Sequence, residues 1–196
     1  MTPRWPADRS NIAEAARRLH QGAVIAFPTD TLYAVGARAG DPAAVQRLYS
    51  VKQRPAGQPM VWLVTDLAQA ERFAVVSAAA GQLSARYWPG PLTLVLPARN
   101  SNGGSTIAVR APNHQVALEL LTELGEPIAS SSANLAGQSP PVDADQVLSG
   151  LPDGLDLVLD GGRCRIGLPS TILDLSGETP RILRVGAIPE ADLSIS

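Results

Sequence analysis

Hydrophobic residues recur along this chain with helical and strand-like periods in alternation, and this alternation limits the chain to the α/β class of folds. Ser10 is predicted to cap a first helix, which leads into the apolar strand 23–27. Asp41 is predicted to cap a second helix, and the apolar run 60–64 predicts a second strand. The pattern therefore favours a sheet with helices packed around it.

The same alternation continues to the end of the chain. Further helices are predicted near 66–73, 77–87, 114–124 and 143–149. Further strands are predicted at 92–96, 106–110, 127–131, 155–159, 171–175 and 181–184. Because the strands after residue 150 are closely spaced, we expect a mixed parallel and antiparallel sheet. The chain has 196 residues without a compositional break, so we expect one domain over residues 1–196.

Composition excludes several classes of protein. A hydrophobic content of 45% supports a sizeable core, and the single cysteine, Cys164, excludes an internal disulfide and a multi-cysteine metal site. The net charge of −2, without a basic tail, argues against a protein that grips duplex nucleic acid. The sequence has no apolar leader and no apolar run long enough to span a membrane, so we expect a cytoplasmic protein without membrane contact.

The 16 basic residues are fifteen arginines and one lysine, Lys52. This lysine opens the segment Lys52-Gln-Arg-Pro55 after the second helix, where we expect extended chain ahead of the proline. An ammonium and a guanidinium two residues apart suit a polyphosphate. The alternative is a pair of cations that stabilise the C-terminal end of the helix. The use of arginine everywhere else shifts the balance modestly toward a local requirement for lysine.

Polar segments lie at the ends of several predicted strands, which is where ligands bind in open α/β sheets. Besides Lys52 to Pro55, these segments are the hydroxyl- and carboxylate-bearing 27–33, Arg110, the serine-rich 130–134, the loop 161–171 and Arg184. Each one alone has a structural alternative, either a turn or an ion pair. Their common position at strand ends favours a binding site.

The usual catalytic and phosphate-binding signatures do not occur in this sequence. His20 and His114 are expected at helix ends, so we interpret them as surface or capping residues. Cys164 stands between two arginines, and we interpret it as a small semi-buried residue, with an activated thiol as the alternative. The candidate chemistry therefore depends on the polar segments.

Seven segments together resemble the YrdC-like family of threonylcarbamoyl-AMP synthases, in its short bacterial form. They are Pro28-Thr-Asp-Thr-Leu-Tyr33, Lys52-Gln-Arg-Pro55 with Pro59, Trp88-Pro-Gly-Pro-Leu-Thr93, Val109-Arg-Ala-Pro112, Ser132-Ala-Asn134 with Gly137, Ser170-Thr171, and Ile182-Leu-Arg184 with Gly186. They occur in the family's order, over about residues 10–188. The resemblance implies a single mixed α/β domain with a concave ligand-binding face over a twisted sheet, and no additional C-terminal domain.

The resemblance also implies a reaction. L-threonine, bicarbonate and ATP, with Mg²⁺, would give L-threonylcarbamoyl-AMP and pyrophosphate, the first step toward threonylcarbamoyladenosine (t6A) in tRNA. It implies that the product passes to a threonylcarbamoyl-transferase complex, and it allows a weak contact with tRNA. No protein side chain is assigned to a metal ion.

The site residues that the resemblance implies fall into two groups. The threonine group is Thr31, Leu63, Arg110, Ser130 and Ser170. The nucleotide group is Lys52, Arg54, Gln58, Thr106, Ser132, Asn134, Pro140 and Arg184. Lys52 and Arg54 are the expected catalytic residues, because they would stabilise charge on the reacting phosphates.

The sequence departs from the family's pattern in two places, and other functions stay open. Ala34 replaces a glycine and is expected to restrict a backbone turn, while Gln138 to Pro141 has an unusual order that affects Pro140. One alternative is a non-catalytic RNA-binding relative, and another is a related enzyme that acts on a different carbamoyl or acyl adenylate. The similar domain of hydrogenase-maturation carbamoyltransferases is disfavoured, because the chain lacks their zinc-binding cysteines and additional domains.

Overall fold

A computed structural model describes residues 2–55, 58–99, 105–151 and 153–193. The helices are α1 Arg9–His20, α2 Pro42–Val51, α3 Leu67–Glu71, α4 Ala78–Tyr87, α5 Gln115–Leu124 and α6 Ala144–Gly150, with a 3-10 helix at Glu190–Asp192. The strands are β1 Arg4–Pro6, β2 Ile25–Pro28, β3 Tyr33–Arg38, β4 Val61–Leu63, β5 Leu92–Pro97, β6 Thr106–Arg110, β7 Ile128–Ser132, β8 Leu157–Asp160, β9 Thr171–Asp174 and β10 Arg181–Arg184.

The ten strands form one sheet in the order β1-β8-β2-β3-β7-β4-β6-β5-β9-β10. Parallel neighbours are β1 with β8, β8 with β2, β4 with β6, and β5 with β9, whereas the other pairs are antiparallel. The expected mixed sheet is therefore confirmed. Helices α1 and α5 pack together on one face, and α2 and α6 lie in a hydrophobic cluster with the other face.

Two strands were missed by the sequence analysis. β1 has only three residues, and β3 follows the polar segment 27–33 at once and is made mostly of small residues that are buried on both faces. It therefore has no alternation of polar and apolar residues. Within β3, a Cβ on Gly36 would lie 2.4 Å from Cγ2 of Ile128, so only glycine lets β7 pair this closely.

Ala34 does not restrict a turn, and that expectation was wrong. It lies inside β3, paired with Phe27 on β2 and with Ser132 on β7. Extended backbone of this kind accepts alanine as readily as glycine. The departure from the family's pattern at this position therefore leaves the backbone of β3 undisturbed.

The two predicted helix starts had different outcomes. Asp41 caps α2 as expected, since its carboxylate accepts hydrogen bonds from the backbone N–H groups of Ala43 and Ala44. Ser10 does not cap α1; Asp8 does, and the hydroxyl of Ser10 donates to the same carboxylate at 2.7 Å. An aspartate two residues upstream offers the stronger, charged acceptor for the free N–H groups of the first turn.

The segment directly after α2 is not extended, so the expectation of extended chain beginning at Lys52 was wrong. Lys52 keeps a helical backbone as the C-terminal cap of α2, and Gln53 has a positive φ of 50°. The chain therefore turns sharply here. The Lys52 side chain points into the protein, where it is only 2% exposed.

Candidate active site

A cavity of about 320 Å³ lies over the central strands of the sheet. Residues paired across β3, β7, β4 and β6 share this face, because directly opposite residues in a sheet point the same way. Its lining includes Thr31, Leu63, Arg110, Ser130 and Ser170 from the expected threonine group, and Arg54, Ser132, Pro140 and Arg184 from the expected nucleotide group. Segments far apart in the sequence thus meet in one hollow.

Arg110 lies at the C-terminal end of β6 and is only 5% exposed. Its guanidinium donates from Nε to the carbonyl of Gly90 at 2.9 Å, from Nη1 to Oγ1 of Thr31 at 2.9 Å, and from Nη2 to the carboxylate of Asp30. Burial lowers the pKa of Arg110 while the carboxylate of Asp30 opposes that effect, and an arginine stays charged in either case. These contacts occupy three of the five N–H groups of the guanidinium, so two remain for a ligand.

Asp30 is almost completely buried behind Arg110. Oδ1 accepts from Arg110 and from the backbone N–H of Asn113, whereas Oδ2 has no hydrogen-bond partner. A buried ion pair is costly to break because the remaining charge is stranded without water. Asp30 therefore fixes the guanidinium in place.

Ser170 and Arg184 form a second linked group on the cavity wall. Arg184 donates from Nε and Nη2 to the carbonyl of Ser170 at 3.0 and 2.8 Å, and from Nη2 to its hydroxyl at 3.2 Å. The hydroxyl of Thr93 lies 2.8 Å from the same serine oxygen. Gly186 allows this arrangement, because a Cβ there would lie 2.2 Å from the carbonyl oxygen of Pro169.

Arg54 lines the cavity beside β7 and the residues ahead of β4. Nη2 donates to the carbonyl of Pro59 at 3.0 Å and Nη1 to the hydroxyl of Ser131 at 3.4 Å, while its buried Nε has no partner. Ser130, on the neighbouring part of β7, donates its hydroxyl to the carbonyl of Val61 at 3.0 Å. Three cations, Arg54, Arg110 and Arg184, thus border one cavity.

Lys52 does not line the cavity. Its ammonium donates to the carbonyl of Ser132 and, at 2.7 Å, to the carbonyl of Asn134. Burial, and then the charge of Arg54, lower the pKa of Lys52 to about 8. The lysine therefore closes the turn after β7, whose residue Ser132 lies on the cavity wall.

Three other expected nucleotide residues also lie outside the lining. Asn134 donates its amide to the carbonyls of Leu135 and Gln138, both at 2.8 Å, and so shapes the turn ahead of Pro140. Thr106 lines a separate hollow, which shares Pro59 with the cavity. Gln58 is exposed and accepts the hydroxyl of Tyr49 on its backbone carbonyl.

The two histidines and the cysteine are not among the residues that line the cavity, although Cys164 and His114 lie near Asp30. His20 is in the last turn of α1, and His114 precedes α5 without a side-chain cap bond. Burial lowers the pKa of the His114 imidazole, which keeps this side chain neutral near pH 7. Burial raises the pKa of the Cys164 thiol to about 11, so the activated-thiol alternative is wrong.

The sequence analysis singled out the segments that carry Thr29, Asp30 and Thr93, but it assigned none of these three polar side chains to the site. Thr29 and Thr93 line the cavity at 2% and 0% exposure, and Asp30 holds Arg110 from behind. All three lie inside segments that the resemblance singled out, and Thr93 interrupts an otherwise apolar strand. A polar residue within a buried strand is a sequence signal that could have found such a residue, because a buried polar group must find a hydrogen-bond partner.

The chain has a single-domain α/β fold with a mixed sheet and a cavity over its central strands. Residues 17–186 match the Sua5/YciO/YrdC family model, which is described as telomere recombination. The chain belongs to this family. No helix among the described residues is long and apolar enough to cross a membrane.

Two curated relatives carry the name threonylcarbamoyl-AMP synthase. The Pyrococcus abyssi protein is 40% identical over 182 residues, which are 89% of this chain and 54% of that protein. The Bacillus subtilis protein is 37% identical over 208 residues, 98% of this chain and 60% of that protein. The chain thus spans little more than half the length of these relatives.

Solved structures agree with the fold. The crystal structure of P. abyssi Sua5 complexed with L-threonine superposes with a TM-score of 0.91 at 37% identity, over 98% of this chain and 59% of that one. The crystal structure of Escherichia coli YciO gives a TM-score of 0.85 at 29% identity, over 95% of this chain and 96% of that one.

Proposed function

We propose that this chain is a threonylcarbamoyl-AMP synthase: it joins L-threonine, bicarbonate and ATP into L-threonylcarbamoyl-AMP and releases pyrophosphate. One observation carries the proposal, namely that a buried arginine with free donors and a second arginine line one cavity together with several hydroxyls. An amino acid needs a cation for its carboxylate, and a nucleotide needs a cation and hydrogen-bond donors for its phosphates, so the joint binding of both requires these groups in one cavity. The names of the relatives and the threonine bound to P. abyssi Sua5 support the assignment.

The threonine end is Arg110 with the hydroxyls around it. Arg110 has two N–H groups left, and a planar guanidinium pairs well with a carboxylate. Thr31, Ser130 and Ser170 supply hydroxyls within the same cavity, and Leu63 supplies an apolar surface for the methyl group of the substrate. A buried site that hydrogen-bonds a substrate hydroxyl strongly disfavours analogues that lack it.

The reaction needs no protein nucleophile. The threonine amine attacks CO₂, which bicarbonate supplies by losing hydroxide, and the amine loses a proton to give a carbamate, so that one water is released overall; a carbamate oxygen then attacks the α-phosphorus of ATP, and pyrophosphate leaves. The protein would hold the reactants in line and stabilise charge on the phosphates, as in other phosphoryl transfers. Arg54 and Arg184 line the cavity and would supply the positive charge for the phosphates, and Ser132 and Pro140 line the same cavity.

Lys52 and Asn134 enter this scheme through the turn after β7. Lys52 holds the carbonyls of Ser132 and Asn134, and Asn134 in turn holds Leu135 and Gln138. We propose that this turn presents Ser132 to the nucleotide, and that the Lys52 charge acts on the phosphates across it. Gln58 and Thr106 would bind the part of the nucleotide that extends past Pro59.

Mg²⁺ would enter with ATP. Magnesium in nucleotide sites is held mainly by the phosphates and water with few protein carboxylates, and it neutralises phosphate charge when bound. Among the residues that the structure describes, no group of three His, Cys, Asp or Glu side chains is placed to hold a metal. The donors on the cavity wall are cations and hydroxyls, which suit the phosphate oxygens.

The product is a mixed anhydride that water destroys, so we propose that it passes directly to a threonylcarbamoyl-transferase complex, with at most a weak contact to tRNA. The chain carries a net charge of −2 and no basic tail, which supports weak rather than strong tRNA binding. Titration of tRNA at two salt concentrations tests this: tight, salt-sensitive binding would favour the RNA-binding alternative instead.

The decisive experiment mixes the purified chain with ATP, Mg²⁺, bicarbonate and threonine, and follows threonylcarbamoyl-AMP and pyrophosphate by mass spectrometry. We expect both products in equal amounts, and neither when threonine is omitted. A run with serine and one with valine define the substrate class. If pyrophosphate does not depend on threonine, the proposed function is wrong.

A further inference from the structure

The two edges of the sheet present different surfaces. β1, at one edge, contains Pro6, and the guanidinium of its Arg4 is held by ion pairs with Asp145 and Asp160. Prolines and charged side chains are the usual protection of an open edge against another chain. At the other edge, β10 contains no proline, and Leu183 in the strand is 48% exposed. The β10 edge is therefore the one left open to an apolar partner.

Exposed apolar side chains concentrate beside β10. Among the residues that the structure describes, four large hydrophobic side chains are exposed: Val75, Leu168, Leu183 and Val185. The last three lie on two adjoining segments, because the carbonyl of Pro169 accepts the backbone N–H of Ala187 at 2.9 Å. Single exposed hydrophobic residues are ordinary, whereas a group of them on one surface indicates a site of interaction.

A groove of about 570 Å³ runs beside β10. Its lining combines apolar side chains with one exposed residue of each charge: Ile182, Leu183, Val185, Leu193, Arg181 and Glu190. Within the described part of the chain, Glu190 forms no ion pair, and Arg181 pairs with Asp174 at 3.3 Å while staying 73% exposed. Exposed ion pairs contribute little to stability, so both charges are available to a partner.

These features make the groove self-complementary. It offers projecting apolar side chains, a hollow that can receive them, a positive charge and a negative charge. Two identical chains related by a two-fold axis use the same patch on both sides, so each feature needs its counterpart on that patch. A partner surface of a single charge sign would leave Arg181 or Glu190 unpaired. The groove therefore fits a second copy of this chain better than an acidic or a basic partner.

We propose that two copies of this chain associate through the β10 groove: Leu183 and Val185 of each copy pack into the groove of the other, and Arg181 pairs with Glu190 of the partner subunit. The register between β9 and β10 shifts at Leu183, so the contact depends on side chains and not on a continued sheet. Arg184, between the two apolar residues, lines the cavity, so the interface borders it. This association does not depend on the proposed function.

Sedimentation equilibrium of the full chain measures the association. We expect a reversible equilibrium between monomer and dimer at about 10–500 µM chain, because a small interface leaves little free energy beyond the cost of association. Leu183→Glu should raise the dissociation constant at least about tenfold, since it brings a charge into an apolar contact. The matched control is Val75→Glu, at a side chain of similar exposure outside the groove, which should leave the constant unchanged.

Two charge reversals test the pairing between copies. Arg181→Glu alone, or Glu190→Arg alone, sets like charges against each other twice in the two-fold interface, and we expect each to weaken the dimer at least about fivefold. An equimolar mixture of the two variants pairs every new charge with an opposite one, so it should dimerise like the wild-type chain. An ion pair within one chain would not be restored by mixing.

Four results would overturn the inference: a wild-type chain that stays monomeric over this range, a dimer that persists in Leu183→Glu, an equal loss in Val75→Glu, or a mixture no better than its components. Circular dichroism checks the fold of each variant, and Leu183→Ser replaces Leu183→Glu if the latter does not fold. Formation of threonylcarbamoyl-AMP is assayed on the same samples, so a failure of the association is distinguishable from a failure of the proposed function.

Discussion

The two ends of the cavity are built differently. At the end that we propose for threonine, Arg110 is buried and is held by Asp30, Thr31 and the carbonyl of Gly90. At the end that we propose for the nucleotide, Arg54 is held by one backbone carbonyl and one long bond to Ser131. The guanidinium of Arg110 is therefore fixed before any ligand arrives, whereas the guanidinium of Arg54 still has N–H groups to donate. A rigid amino-acid pocket favours selectivity, and phosphate binding relies more on charge than on fit.

The largest expected effect comes from Arg110→Met, which would strand the Asp30 carboxylate in the protein interior. We expect the free energy of unfolding to fall by about 3–5 kcal/mol, as for other buried pairs that lose one partner, and threonine binding to disappear. Urea unfolding and calorimetry measure the two effects. The control is Arg47→Met, whose ion pair with Asp156 is exposed and worth at most about 1 kcal/mol. Equal losses in both variants would mean that the threonine end is not a rigid site.

Next in size is Gly186→Ala, which tests the wall that carries Ser170 and Arg184. The new Cβ would lie 2.2 Å from the carbonyl oxygen of Pro169 and 2.6 Å from the carbonyl carbon of Ser170, both of them backbone atoms. We expect a loss of about 2–3 kcal/mol in thermal or urea unfolding. Gly81→Ala, inside α4 with no atom within 4 Å of the new Cβ, should instead stabilise the protein by about 0.5–1 kcal/mol. A similar result for the two variants would contradict the close approach.

Lys52→Arg addresses the nucleotide end. The compact ammonium sits between two carbonyls, Ser132 and Asn134, and a planar guanidinium does not fit the same space. We expect the KM for ATP to rise about tenfold while the KM for threonine changes less than about twofold. Steady-state kinetics with each substrate varied in turn separate the two. A matching rise in both values would show that the two ends are not independent, and full activity would make the single lysine a coincidence.

The smallest effect is a pH dependence of stability. The pKa of Lys52 is lowered to about 8 in the folded protein, against 10.5 for an ordinary lysine. Between these values the unfolded chain binds a proton that the folded protein does not, so the contribution of Lys52 to stability rises with pH from about 8 and levels off near 10.5. We expect a gain of about 1–2 kcal/mol relative to Lys52→Met, measured by urea unfolding between pH 7 and 9. A constant difference between the two proteins would mean that Lys52 is well solvated.

Much of the fold could be predicted from the sequence, because its signals are local. The cap at Asp41 and the apolar runs in β2 and β5 depend on neighbours within a few residues. β3 could not be predicted, since its small residues are buried on both faces by helices that come from elsewhere in the chain. The capping residue of α1 was misplaced because Ser10 and Asp8 compete for the same free N–H groups.

The candidate site could be predicted in part. Motif positions located Thr31, Arg110 and Ser170, and the structure gathers them into one cavity with Arg54 and Arg184. Which way each side chain points could not be predicted. Lys52 turns inward to two carbonyls, and Thr106 lies in a neighbouring hollow.

By itself the sequence determined the alternation of helices and strands, the apolar core and the residue types available to a ligand. Only the tertiary structure decided which of those residues meet and which protons they have left to give. Arg110 lies 80 positions from Asp30, and Lys52 lies 80 positions from Ser132. No local pattern records such pairs, because a buried polar group takes whatever partner the folded chain brings within hydrogen-bond distance.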